Sequence, residues 1–187
     1  MKNLFFVLIF FVTAPFAIAR QKHYSINDKI QDEAELLTTK IPKDGETCFS
    51  PIEHCDLKLI KFLDSAQKSI EIAIYDINLD QLGHVLLVKS KKIPVKIIVD
   101  KRQAKEKNSI VETLIKGGVT LEFGHQRGIM HNKFAIVDGI MVETGSFNYT
   151  NHASKANNEN QVYLANPQTV ERYKTRFKEI WGEGTIP

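Results

Sequence analysis

The chain has 187 residues, of which 43% are hydrophobic and 25% are charged. This composition is that of an ordinary globular protein and excludes the disordered and fibrous classes, and the length suggests one domain. The formal net charge of +3 is too close to neutral to identify a nucleic-acid partner by itself.

The first nineteen residues have the form of a secretory signal peptide. Lys2 gives a weakly positive start, residues 4–12 form an unbroken apolar run, and residues 17–19 fit an A-x-A cleavage site. The apolar run is too short for a comfortable membrane span, although an uncleaved anchor is the alternative. We therefore expect an exported protein, periplasmic or secreted. Cleavage would remove one basic residue and no acids, which leaves a net charge of +2.

An N-terminal extension, residues 20–45, precedes a domain over residues 46–187 in which strands and helices alternate. Residues 149–158 are polar and rich in Asn, which predicts a loop. In chain order, apolar periodicity predicts a helix over 27–37, a weak strand over 47–50, a helix over 56–67, a strand over 69–77, a helix over 79–91, a strand over 95–99, a helix over 108–116, strands over 119–123, 133–137, 140–143 and 161–164, and a C-terminal helix around 170–180. This order predicts an α/β fold with a mostly parallel, mixed sheet flanked by helices.

The two cysteines, Cys48 and Cys55, predict a disulfide, because exported proteins usually oxidise such pairs. The bridge would close a loop of eight residues, worth roughly 2.5 kcal/mol in the chain-entropy model. His54 beside Cys55 leaves a zinc site as the alternative, although a structural zinc needs four ligands and only three are visible.

Local clusters of basic residues are more informative than the net charge. They lie at residues 89–92, at Lys101 and Arg102, and at Lys105 and Lys107. Solvated helix ends and loops are one explanation, and a groove that follows a phosphate backbone is the other.

The most informative stretch has the pattern H-x-K-x4-D followed by G-S-x-N. Its polar residues are His131, Lys133, Asp138, Ser146 and Asn148. Histidine can act as nucleophile or as acid and base near neutral pH. Lys, Ser and Asn can donate hydrogen bonds to phosphate oxygens. Together these groups could cleave a phosphodiester without a metal.

Side-chain alternation predicts which of these residues meet. His131 and Lys133 are two apart and point the same way on a strand, and Ser146 and Asn148 share parity beyond the next strand. The Asp-Gly pair at Asp138 predicts a hairpin between the two strands, which would bring the two pairs together. Asp138 has the opposite parity, so we favour a structural role for it in the turn or at a dimer contact.

A nucleophilic imidazole needs a partner that fixes its tautomer and supports the cation. Glu159, after the polar segment, is the candidate partner, and an ordinary surface carboxylate is the alternative.

The motif resembles that of the phospholipase D superfamily. A single copy in a short exported chain is most similar to the small bacterial endonucleases of that superfamily, and the resemblance covers about residues 46–187. It implies that Glu159 contacts the catalytic histidine and that Asp138 is not itself the proton carrier.

The resemblance also implies a two-step reaction that needs no metal or other cofactor. One His attacks phosphorus and forms a phosphohistidine, a second His protonates the leaving oxygen, and water activated by that second His releases the phosphate. Two Lys and two Asn stabilise the oxyanions. No other histidine of this chain has Lys two residues later. We therefore expect a homodimer with one composite site on a two-fold axis.

The leading hypothesis is an exported, metal-independent endonuclease of low sequence specificity that acts on DNA, RNA or both. A phospholipase D acting on membrane lipid is the first alternative, disfavoured by the polar segment after Thr150. A nucleic-acid-binding module without catalysis, used in uptake or transfer of DNA, is the second. The intact His131, Lys133, Ser146 and Asn148 disfavour it.

Overall fold

The structure is a computed structural model that describes residues 31, 34–124 and 128–183. The expected signal peptide lies outside these residues. Of the helix expected over residues 27–37, the structure describes residues 31 and 34–37, and these are helical.

The described residues contain seven strands, each within or beside a segment where the sequence predicts one. The strands are β1 (Thr47–Ser50), β2 (Ile70–Ile74), β3 (Val95–Asp100), β4 (Thr120–Gly124), β5 (Lys133–Val137), β6 (Met141–Gly145) and β7 (Glu159–Leu164). The helices are α1 (Cys55–Asp64), α2 (Asp80–Ser90), α3 (Val111–Lys116), α4 (Asn151–Lys155) and α5 (Pro167–Glu183), with a 3-10 turn at Gln103–Lys105.

The short helix α4 corrects the loop that was expected over residues 149–158. The Thr150 hydroxyl accepts a hydrogen bond from the Ala153 N–H at 3.1 Å. This side-chain cap satisfies one of the free N–H groups of the first helical turn, so a segment without apolar periodicity still forms a helix.

The strands form one mixed sheet in the order β1-β7-β6-β5-β2-β3-β4. The α/β fold with a mixed sheet and flanking helices is therefore confirmed. Five of the seven described strands share one direction, but only two of the six neighbouring pairs, β2 with β3 and β3 with β4, are parallel. The sheet is less parallel between neighbours than expected. β5 and β7 run opposite to the other five described strands, and each lies between two of those five.

The two faces of the sheet carry separate cores. Helices α1, α2 and α3 cover one face, where Phe62, Leu86 and Leu114 are buried. Helix α5 covers the other face, where Phe134 and Phe177 are buried. Among the helices in the described part of the chain, none has the length and apolar content needed to cross a membrane.

A disulfide between Cys48 and Cys55, with Cα atoms 5.7 Å apart, joins the edge strand β1 to the start of α1. It occupies both sulfur ligands that the zinc alternative would need. Ser50, at the end of β1, donates hydrogen bonds to the carbonyl oxygens of Ala153 at 2.8 Å and Asn157 at 3.2 Å. The disulfide-linked loop therefore supports the segment that precedes β7.

Candidate active site

The candidate site lies at one end of the sheet. β2, β3 and β6 end there, and the antiparallel strands β5 and β7 begin there. His131 precedes β5, Ser146 and Asn148 follow β6, and Glu159 opens β7. Strand direction therefore brings three separate segments to one edge, while the hairpin that joins β5 to β6 lies at the other.

His131 presents an exposed imidazole held between two neighbours. Its ring lies against Tyr75, with ring centroids 4.6 Å apart and an interplanar angle of 60°. The Lys133 Nζ lies 3.3 Å from Nε2 and 3.4 Å from Nδ1 of the ring, and donates to the His131 carbonyl oxygen at 3.1 Å. The ammonium is nearly equidistant from the two ring nitrogens, so it lies over the face of the imidazole.

Lys133 is a largely buried cation, with 9% of its surface exposed. Burial lowers the pKa of Lys133, and the negative charge of Glu159 partly opposes that effect. The Nζ also lies 5.2 Å from the centroid of the Tyr75 ring. Because charges interact more strongly where water is excluded, this ammonium can bind a phosphate oxygen beside the imidazole.

Ser146 is held by the first residues of β7. Its Oγ donates to Glu159 Oε2 at 2.5 Å and accepts from the Asn160 N–H at 3.1 Å and from Asn160 Nδ2 at 3.3 Å. The preceding Gly145 allows this approach, because a Cβ there would lie 2.1 Å from the Asn160 carbonyl oxygen. The Gly-Ser pair of the motif therefore marks a close contact between β6 and β7.

Asn148 carries a buried polar atom that has no hydrogen-bond partner among the described residues. Phe147 and Tyr149 on either side are fully buried and fix its backbone, whereas its Oδ1 is buried without a hydrogen bond. Leaving such an atom unpaired costs about 1–3 kcal/mol. Rotation of the amide would present Nδ2 instead, a donor suited to a phosphate oxygen.

The chain after β6 is anchored to the chain after β2. The Tyr149 N–H donates to the Asp76 carbonyl at 3.1 Å, and the Tyr149 carbonyl accepts from the N–H groups of Asn78 and Leu79 at 2.9 and 3.1 Å. The Tyr149 hydroxyl donates to Glu143 Oε2 at 2.5 Å. Burial raises the pKa of Glu143 to about 8, even though this hydrogen bond lowers it. A neutral acid therefore supports the motif from inside the core.

The contact expected between Glu159 and His131 stays a prediction, because within one chain Glu159 has other partners. Glu159 Oε1 accepts from Asn157 Nδ2 at 2.8 Å and Oε2 accepts from Ser146, and within the described residues no hydrogen bond joins Glu159 to the imidazole. β6 lies between β5 and β7, and two strand spacings amount to roughly 10 Å. Glu159 therefore reaches the site through Ser146 and through the charge of Lys133.

Asp138, the motif Asp, lies at the far end of β5 from His131, roughly 23 Å along an extended strand. Its carboxylate accepts from the N–H groups of Gln67, Lys68 and Ser69 at 2.7–3.0 Å. Partial burial raises the pKa of Asp138, but these N–H groups outweigh it, so the pKa lies below its ordinary value. Its position in the turn excludes contact with a substrate held at His131 of the same chain.

Two further residues belong to the site although the motif does not include them. Tyr75 follows β2, and its hydroxyl accepts from Gln103 Nε2 at 3.1 Å. Asp100 ends β3 and is 3% exposed. It accepts from the N–H groups of Arg102 and Gln103 at 2.9 and 3.2 Å and of Met130 at 3.0 Å. The signal for Asp100 in the sequence is an acid that closes a buried apolar strand.

Known proteins are similar to this chain in sequence and in fold. A family model described as the PLD-like domain of cardiolipin synthase matches residues 59–181. A mitochondrial cardiolipin hydrolase from Chlamydomonas reinhardtii is 33% identical over 132 residues, which cover 68% of this chain and 59% of that protein. A phospholipase D from Rickettsia conorii is 31% identical over 154 residues, 81% of this chain and 71% of that protein.

The crystal structure of Nuc from Salmonella typhimurium, a phospholipase D family member, has a TM-score of 0.70 and 30% sequence identity. The similarity covers 74% of this chain and 94% of Nuc, so nearly the whole of Nuc resembles this chain. The family model spans all residues of the H-x-K-x4-D and G-S-x-N motif. This chain therefore belongs to the phospholipase D superfamily.

Proposed function

We propose that this phosphodiesterase of the phospholipase D superfamily hydrolyses DNA, RNA or both, without a metal and with little sequence specificity. One observation carries the proposal: the exposed His131 imidazole has the buried Lys133 ammonium 3.3 Å from Nε2. A nucleophile and a phosphate-binding cation are thereby held side by side, which is the positioning that phosphoryl displacement requires.

The proposed reaction uses His131 from each of two copies. The first attacks phosphorus, the bond from phosphorus to the leaving oxygen breaks, and the second donates its proton to that oxygen. Water then gives a proton to the second imidazole and attacks the phosphohistidine, which frees the first imidazole. Lys133 and Asn148 of both copies stabilise the charge on the non-bridging oxygens, and the unpaired Asn148 Oδ1 supports such a role for its amide.

We propose a homodimer because each chain carries one motif and the reaction needs two histidines. In a two-fold dimer the same surface meets its own copy, so two exposed imidazoles at equivalent sheet ends could face one phosphate. Sedimentation analysis should give a dimer at concentrations where the enzyme is active, and a fully active monomer would contradict this arrangement.

The rim of the site favours a polar polymer as substrate. Helix α4, which follows the motif, exposes Asn151, His152 and Lys155, and its surface is polar. The resemblance to small bacterial endonucleases points the same way, and residues 1–19 support our proposal that the protein acts in the periplasm or outside the cell.

A phospholipid substrate is the second candidate, and a specific observation favours it. Ile52 and Ile129 are 84% and 45% exposed, and both lie at the sheet end that carries His131. Exposed apolar side chains beside a site can contact a membrane. Two of the similar proteins are a cardiolipin hydrolase and a phospholipase D.

One experiment separates these functions. Plasmid DNA, a structured RNA and cardiolipin vesicles are each incubated in excess EDTA with the wild type, with His131→Ala and with His84→Ala. The His84→Ala control makes the same change on α2, at an exposed position. We expect nucleic-acid cleavage by the wild type and the control, and none by His131→Ala.

Cleavage of vesicles alone would establish the lipid function instead. Nucleic-acid binding without cleavage would identify a binding module. Activity that EDTA abolishes would contradict the metal-independent mechanism.

A further inference from the structure

A basic loop, defined as residues 101–107 between β3 and α3, lies at the same sheet end as His131. β3 is the parallel neighbour of β2, so the loop after β3 stands beside Tyr75, which follows β2. Gln103 Nε2 donates to the Tyr75 hydroxyl at 3.1 Å, and the Tyr75 ring contacts the His131 ring. A single aromatic side chain therefore connects the basic loop to the imidazole.

One buried carboxylate fixes the basic loop relative to the catalytic segment. Asp100 accepts hydrogen bonds from the N–H groups of Arg102 and Gln103 with one oxygen, and from the Met130 N–H with the other. Met130 directly precedes His131 in sequence. Because the same side chain holds both segments, the spacing between the basic loop and the imidazole is set before a substrate arrives, which reduces the entropy cost of binding.

The basic loop concentrates positive charge. It contains one acid and four cations, which are Lys101, Arg102, Lys105 and Lys107. All four are exposed, and none of their side chains forms an ion pair with another described residue. The net charge of these seven residues is +3, as large as that of the whole chain. Unpaired charge of this density attracts a polyanion.

We propose that the basic loop binds the backbone phosphates that flank the scissile phosphate. This inference rests on the proposed nuclease function and adds that the substrate is a strand of several nucleotides rather than one isolated diester. β3 lies two strand spacings from β5, roughly 10 Å, so the basic loop can contact a phosphate other than the one at His131. Contacts to phosphates alone raise affinity without sequence specificity.

The test compares two triple variants with the wild type. The first removes three charges of the basic loop by Lys101→Gln, Lys105→Gln and Lys107→Gln. The control removes the same charges at the amino ends of β2 and β3, the opposite end of the sheet, by Lys68→Gln, Lys91→Gln and Lys92→Gln. Binding of a labelled single-stranded 30-mer is measured between 50 and 200 mM NaCl, and kcat/KM is measured for the 30-mer and for a dinucleotide.

Three phosphate contacts should contribute about 2 to the slope of log K against log salt. Over this fourfold range of salt, the affinity of the wild type should therefore fall roughly 20-fold more than that of the basic-loop variant. The control should behave as the wild type, and replacing the same three lysines by Arg should restore the slope. The loss of kcat/KM relative to the control should appear with the 30-mer and shrink with the dinucleotide.

The outcomes that overturn the inference are distinct from those that overturn the function. If the wild type cleaves the 30-mer but both triple variants lose equal slope, only the basic-loop proposal fails. An equal loss with the dinucleotide would also exclude it. If the wild type neither binds nor cleaves the 30-mer, the nuclease function fails and the inference with it. Binding to cardiolipin vesicles is measured in parallel, and a loss by the basic-loop variant confined to the vesicles would overturn the inference and assign the basic loop to a membrane surface.

Discussion

The buried acid Glu143 should make the stability of the fold depend on pH. Its side chain is fully buried, and burial raises its pKa from 4.5 to about 8. An acid with a higher pKa in the folded than in the unfolded chain keeps a proton that unfolding releases. Its contribution to stability is therefore complete below pH 4.5 and is lost as the pH rises through about 8.

The expected loss follows from this pKa difference. Each pH unit between the two pKa values costs about 1.4 kcal/mol, and the integrated change between pH 5 and pH 7.5 is about 3 kcal/mol in the free energy of unfolding. Glu143→Gln removes the titration but keeps an amide oxygen that can accept from the Tyr149 hydroxyl. The wild type should therefore lose about 3 kcal/mol more than this variant over the same pH range.

Urea unfolding at pH 5 and pH 7.5, with the disulfide kept oxidised and Trp181 as the fluorescent probe, measures this difference. All other titrating groups are common to both proteins, so the comparison isolates Glu143. The matched change Glu179→Gln, at an exposed acid on α5, should keep the pH dependence of the wild type. Parallel pH profiles for the wild type and Glu143→Gln would refute the assignment of a neutral buried acid.

Three further substitutions test the frame of the site. Tyr75→Leu removes the ring that contacts His131 and should lower kcat about tenfold with KM nearly unchanged. Tyr75→Phe keeps the ring and should keep most of the activity. Equal losses of kcat in the two variants would contradict a role for the ring. Gly145→Ala places a Cβ against the backbone of β7 and should cost about 1–3 kcal/mol, measured by urea unfolding. Replacing Cys48 and Cys55 by Ser should cost about 2.5 kcal/mol, and an unchanged unfolding midpoint would contradict this.

Side-chain alternation along the strands and the Asp-Gly turn signal were enough to predict which residues of the motif lie close together. Alternation placed His131 and Lys133 on one face, and the Lys133 ammonium lies against the His131 ring. The Asp-Gly pair predicted the hairpin. Asp138 and Gly139 have φ values of 56° and 67°, and the Ile140 N–H donates to the Val137 carbonyl at 3.0 Å, as a type I′ turn requires. These features are local, so a sequence can specify them.

Other parts of the site depend on strand order, which local patterns do not encode. Within one chain Glu159 pairs with Ser146 rather than with His131, because β6 lies between their strands. The strand expected over residues 69–77 ends at Ile74, and Ile77 pairs instead with Tyr149, far along the chain, in an isolated bridge. Tyr75 directly follows the last residue of β2, and its ring contacts the His131 ring. Apolar periodicity reports only on neighbours along the chain, so it could not predict this contact.

The polar residues at the candidate site are arranged in the same way: a buried neighbour fixes the position of each exposed or partly exposed group. The segment before His131 is fixed by Asp100, and the backbone of Asn148 is fixed between Phe147 and Tyr149. Such a frame suits a reaction that depends on positioning, because the donors are oriented before charge develops on phosphorus. The proposed two-histidine reaction also requires that the second histidine be held as firmly as the first. A second copy of the same frame meets that requirement, whereas a mobile loop would not.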